Sequence, residues 1–213
     1  MKRTPITDVW GFLTEPSWTT MVFWLLLIGS AAIAARAWTT RPEQRSPARL
    51  GDWLLRLVIG AMWWQQSLWK LPPYYTDDPT APFGTTGLAF WMGQMAKYAP
   101  FDLQARLVKD VVLAHFYVFA PLVYLTEVGI GVSLMLGLLT RLGGLAGFLM
   151  ALNLWAGLYV APGEWPWTYA FLVVIQALYM LHPPGRSLGV DALLRGHGEP
   201  RRGWLPRLVA VAG

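Results

Sequence analysis

The chain contains no cysteine. That excludes disulfide exchange, thiolate catalysis, iron–sulfur ligation and cysteine-based zinc sites. It also excludes the membrane enzymes that make disulfides, which need a cysteine pair. Charge is scarce too: only 14% of the 213 residues are charged, where a soluble domain carries about a quarter. Histidine is limited to His115, His182 and His197. They fall at the outer end of one apolar span, at the inner end of another and in the tail, so they cannot share a haem iron inside a bundle. No tightly bound redox centre or metal is expected.

What is abundant is apolar. Hydrophobic residues make up 55% of the chain, with 13 Trp, and the mean hydropathy is +0.40. This is the balance of an integral membrane protein. The net charge of +5 sits in loops beside apolar blocks, where membrane topology accounts for it. No nucleic-acid partner is expected.

Taken in order, residues 1–20 read as an extramembrane arm with an interfacial turn around Trp10 to Leu13. Trp18 to Trp38 is a first span, uncharged before Arg36 and close to the roughly 20 residues that cross a bilayer. A cleaved signal peptide is the rival reading, but a leader holding Asp8 and Glu15 does not resemble a compact basic n-region. Residues 36–52 form a linker carrying Arg36, Arg41, Arg45 and Arg49.

The second span, Trp53 to Leu71, places Arg56, Gly60, Trp63, Ser67 and Lys70 on one face at helical spacing. Its two cations lie near opposite ends, where they could snorkel, and Gln65 and Gln66 are expected inside. Residues 71–115 form a long connection. Within it Leu88, Trp91, Met92 and Met95 give an amphipathic helix along the outer membrane surface. Asp102 is a candidate cap for a second helix. The connection reads either as a lid over one mouth of the bundle or as a plain crossover.

The third span, Phe116 to Leu139, holds Glu127 at a depth where a charge needs a partner or a purpose. Gly129, Ser133 and Gly137 form a small-residue stripe along it. A Thr140-Arg141 turn then leads to a fourth span, Leu142 to Tyr159. There Gly143, Gly147 and Ala151 are the matching stripe, and Asn153 is the one buried polar side chain expected. The fifth span, Thr168 to Leu181, carries Gln176, and a polar tail follows from His182. The basic residues of the linker, the turn and the tail place these segments in the cytoplasm, giving five spans with the N-terminus outside and the C-terminus inside. The expected location is the bacterial or archaeal inner membrane.

The expected fold is therefore an all-α integral membrane protein. A four-helix transmembrane bundle over residues 52–194 is joined by one additional N-terminal transmembrane helix within residues 1–51 and by a periplasmic amphipathic helical connection. Residues 195–213 are a basic cytoplasmic tail.

Three places resemble the DoxX family of bacterial membrane proteins, and lean toward its DoxD-type branch, the subunits named from thiosulfate:quinone oxidoreductase. The first is Arg56 to Leu71, with Arg at its start, a central Gly60 and Lys70 near its end. The second runs from Glu127-Val128-Gly129-Ile130-Gly131 through Leu136-Gly137-Leu138-Leu139-Thr140-Arg141. The third, His182 to Leu194, is similar to a closing Gly-Pro-Gly-x-x-Ser-Leu-Asp signature, with Pro for the first Gly and a Gly189-Val190 pair before Asp191. The resemblance implies a membrane subunit that passes electrons from a sulfur compound such as thiosulfate to membrane quinone.

The residues themselves allow a diffusible quinone to serve as substrate. A quinone needs an apolar slot, aromatic walls, hydrogen bonds to its carbonyls and proton exchange. Trp63 and Trp64 are candidate walls, Gln66, Lys70, Tyr124 and Asn153 candidate contacts, and Glu127 the candidate proton-exchanging group, with His115 as a relay to the outer surface. The competing reading gives Glu127 a structural bond to Asn153, Gln176 or Arg56, in a non-catalytic subunit that anchors, assembles or stabilises a larger membrane redox complex. Other subunits, a homo-oligomeric copy and membrane lipid are the expected partners.

Overall fold

The computed structural model describes residues 4–195 and 211–213. His197, Arg201, Arg202 and Arg207, assigned to the tail by sequence, lie outside the described residues. Those described form helices joined by turns, with no strand among them.

The chain opens on α1, Pro5–Thr14. It is a full helix where a single turn was expected, because Thr4 and Thr7 bond each other's backbone N–H groups reciprocally across its first turn. Trp24 Nε1 donates to the Leu13 carbonyl at 2.9 Å, pinning α1 to the following helix. That helix, α2, spans Trp18–Thr40, capped by Ser17.

The linker is much shorter than expected. Helix α3 runs Pro47–Ser67, with Ser46 as N-cap and Pro47 in the first turn, and continues as a 3-10 turn over Leu68–Lys70. Arg45, read as a loop charge, donates to the Trp38 and Thr39 carbonyls at 2.7 Å and closes the end of α2. The face of α3 formed by Arg56, Gly60, Trp63, Ser67 and Lys70 is buried as the spacing predicted. Two expectations about this helix fail. Arg56 and Lys70 do not snorkel, since both are buried. Gln65 and Gln66 are exposed; Gln65 follows Trp63 by two residues, which turns it to the opposite side of a helix.

The long connection contains α4 (Gly87–Tyr98), α5 (Asp102–Arg106) and a π-helical stretch over Leu107–Leu113. Leu88, Met92 and Met95 bury the apolar face of α4. Asp102 does not cap α5: Phe101 holds the N-cap position, and Asp102 sits in the first turn, where its charge still favours the helix N-terminus.

Helix α6, Phe116–Leu136, and helix α7, Thr140–Leu158, are antiparallel. The turn between them is Gly137 to Leu139, not Thr140-Arg141; Gly137 and Leu139 are both left-handed, and Thr140 already opens α7. Helix α8 (Pro166–Leu181) follows, then a short helix α9 (Val190–Leu194). By length and composition α2, α6 and α7 can cross a membrane, and Trp167–Leu181 is a shorter apolar stretch. The chain is a multi-pass membrane protein.

The most extensive helix contacts are α3 with α6 and α7 with α8, ahead of α6 with α7. A Cβ on Gly60 would lie 2.8 Å from the Met135 backbone nitrogen, and one on Gly131 3.1 Å from that of Trp64, so α3 and α6 touch backbone to backbone. The proposed stripe is split. Gly129 faces open space, Ser133 meets Gly143, and Gly137 lies against Arg56 and Gly189. Gly144 and Gly147 turn instead to Met180 and Gln176 of α8. Nor is the segment after His182 a polar tail: Pro184, Gly185, Ser187, Leu188 and Asp191 are buried.

Candidate functional site

At the end of the bundle opposite Arg56, the buried face of α3 stops on Lys70. Its ammonium donates to both carboxylate oxygens of Glu127 on α6, and both side chains are buried. Sequence reasoning offered Glu127 a bond to Asn153, Gln176 or Arg56; the partner is Lys70. Arg56 lies 14 residues back along the α3 side, about 21 Å at helical rise, and donates to the Leu134 and Met135 carbonyls. Gln176 is fully buried with neither amide atom bonded.

The Lys70–Glu127 pair forms one wall of a cavity of about 540 Å³. Its other walls are mostly apolar: Trp63 and Trp69 from the α3 side, Trp91, Met92 and Met95 from α4, and Val108 and Val112 from the π-helical segment. Lys70 Nζ also lies 4.4 Å from the centre of the Trp69 ring. Gln66 accepts from Trp69 Nε1 at 3.3 Å. Gln104 Nε2 donates to Asn153 Oδ1 at 3.2 Å, joining α5 to α7 across the lining. Tyr169 donates to Glu164 at 2.8 Å.

Of the residues singled out from sequence, Trp63, Gln66, Lys70, Glu127 and Asn153 meet in this lining. Asn153 is exposed rather than a buried polar group of its helix. Trp64 turns away and packs with Phe23 and Met135 toward α2. Tyr124 packs in the cluster around Phe116 and Met95, outside the lining. His115 stands exposed at the N-cap of α6, with Nδ1 2.9 Å from the Val111 carbonyl oxygen. It is 12 residues from Glu127, about 18 Å along the helix, so it shares no site with it. The α4 face was visible in the sequence as a possible lid. Trp69, Gln104, Tyr169 and Leu172 also line the cavity, and nothing in their local spacing marks them.

The arrangement can hold a flat, largely apolar molecule with hydrogen-bonding groups at one end. Tryptophan and methionine provide polarizable walls, Lys70 a donor and Glu127 a proton acceptor. The class thus defined is a polytopic helical membrane protein with a cavity that ends on a buried lysine–glutamate pair. Residues 53–200 match the family described as TQO small subunit DoxD, and the chain belongs to that family. The family takes its name from the small subunit of TQO, thiosulfate:quinone oxidoreductase. The match begins at Trp53, leaving α1 and α2 outside it. No curated protein and no solved structure matches the chain.

Proposed function

We propose that this chain is the quinone-reactive membrane subunit of an oxidoreductase that takes electrons from a sulfur compound such as thiosulfate. The quinone ring enters the cavity between the Trp63 and Trp91 walls and presents a carbonyl to Lys70. Reduction to quinol consumes two electrons, delivered from the sulfur donor through a partner subunit, and two protons. Glu127 carries protons to the developing quinol oxygen, and its contact with Lys70 holds it in place. A positioned acid–base group of this kind accelerates a reaction about 100-fold or more.

The observation that supports this reading is that the buried Lys70–Glu127 pair faces an otherwise apolar, Trp- and Met-rich cavity. A pair serving only to hold helices together needs no such space beside it. The test is Glu127→Gln in the assembled complex, reading thiosulfate-dependent quinone reduction and melting temperature together. Quinone reduction is expected to fall about 100-fold, out of proportion to any loss of folded protein. Unchanged quinone reduction with a lower melting temperature would overturn the proposal and leave the pair a packing element of an anchoring subunit.

A further inference from the structure

At the opposite end of the bundle a second cavity, of about 490 Å³, opens between the N-terminal part of α3 and the C-terminal end of α8. Arg49, Asp52, Tyr179, His182, Arg186 and Ser187 supply its polar lining. We propose that this groove binds the phosphate headgroup of an anionic phospholipid.

Charge points to an anion. Arg49 donates to Ser187 Oγ at 2.9 Å, and that hydroxyl donates to Asp52 at 2.7 Å, so the one carboxylate of the lining is already engaged. Arg186 adds a second guanidinium, whose Nη2 donates to the Gly213 oxygen at 3.1 Å and whose Nε has no partner. Burial and the neighbouring Arg195 and Arg141 hold its pKa below the usual arginine value, with Asp191 opposing. The lining thus holds two guanidiniums against one carboxylate. A further, independent feature is Tyr179: its side chain is 6% exposed, and its hydroxyl has no hydrogen-bond partner. A buried hydroxyl without a partner carries a desolvation cost that a ligand oxygen would relieve.

The apolar surroundings point to a lipid as the source of that anion. Leu55 and Leu178 belong to the same lining and are each 51% exposed. Leu55 follows Arg49 by six residues, about 9 Å along α3. A phosphate held at Arg49 and Arg186 therefore directs acyl chains over these leucines. Basic pockets between membrane helices commonly take anionic headgroups in this way.

The full-length protein, stripped of lipid in detergent, provides the test. Phosphatidylglycerol in mixed micelles is expected to raise its melting temperature by about 3–5 °C, whereas phosphatidylcholine and inorganic phosphate leave it unchanged. Native mass spectrometry is expected to find phosphatidylglycerol retained, and retained about tenfold less in R49Q/R186Q. Tyr179→Phe, which preserves the ring, is expected to weaken retention as well and serves alone if the double variant does not fold. An equal shift with phosphatidylcholine would overturn the proposal, as would undiminished lipid retention in the variants. A shift reproduced by inorganic phosphate would show a soluble-anion site instead and overturn the lipid assignment.

Discussion

Arg56 and Asp191 hold the two sides of one turn. The guanidinium of Arg56 donates to the Leu134 and Met135 carbonyls that end α6, and the Asp191 carboxylate accepts from the Leu139 and Thr140 backbone N–H groups that open α7. Each charge answers the partial charge of the helix end it touches. Thr140 Oγ1 adds a third donor to Asp191 at 2.9 Å, and the Asp191 N–H returns a bond to Gly137 O at 2.9 Å. Three segments distant in sequence are thereby locked around a left-handed glycine.

Removing either charge should destabilise the bundle strongly, because the helix-end groups it bonds are left buried without a partner. Asp191→Ala and Arg56→Met each remove at least two hydrogen bonds made by a charged group and are each expected to cost about 3–5 kcal/mol. Asp191→Asn, which keeps one acceptor oxygen, is expected to cost about 1–3 kcal/mol. Thermal unfolding in a fixed detergent checks the order. Equal melting temperatures for the wild type and Asp191→Ala would show that the turn is held by packing alone.

The glycines divide by what stands opposite them. Gly60→Val puts side-chain carbon into the Met135 backbone, so α3 and α6 must separate; overpacking of this kind costs about 1–3 kcal/mol or more. A Cβ at Gly129 meets nothing within 4 Å, and Gly129→Val is expected to leave folding within about 0.5 kcal/mol. Comparing the two variants by thermal unfolding in detergent decides whether the stripe beginning at Gly129 or the Gly60–Gly131 contact brings the helices together.

The same contrast shows what the sequence could convey. Helical spacing along α3 correctly put Arg56, Gly60, Trp63, Ser67 and Lys70 on one buried face, because the period is a local property of the helix. Spacing cannot say which neighbour each small residue meets, so the stripe includes Gly129, which faces open space, and leaves out Gly131, which meets α3. Lys70 and Glu127 both stand out in the sequence, but as separate contacts; 57 residues separate them, and only packing joins them. The motif that contains Asp191 does not show its role, since its partners are backbone groups of a turn 51 and 52 residues earlier. Trp69, Gln104 and Tyr169 reach the cavity from three different segments. No local pattern announces such a convergence.

The buried ion pair is suited to a double-mutant cycle. Lys70→Met alone and Glu127→Leu alone each leave one charge without its partner in the interior, at an expected cost of about 3–5 kcal/mol. The double variant should recover most of that loss, since an apolar pair avoids desolvating two ions. Quinone reduction should stay low in all three variants. Recovery of both stability and quinone reduction in the double variant would remove the pair from the chemistry.

Two adjacent tryptophans permit a sharper separation of wall from ligand. Trp63 lines the cavity and Trp64 packs against Phe23 and Met135, yet the Nε1 of each is buried without a hydrogen-bond partner. Phenylalanine at either position keeps an aromatic ring and removes the N–H donor. If the Trp63 N–H bonds a quinone carbonyl, Trp63→Phe should raise the quinone KM about five- to tenfold, the worth of one hydrogen bond of about 1–1.5 kcal/mol. Trp64→Phe should lose comparable packing volume and leave that KM unchanged. Melting temperatures then report packing for both variants, while KM responds only to the residue that lines the cavity. An equal rise in KM for the two would mean that general loosening of α3, and not a bond from Trp63, controls quinone binding.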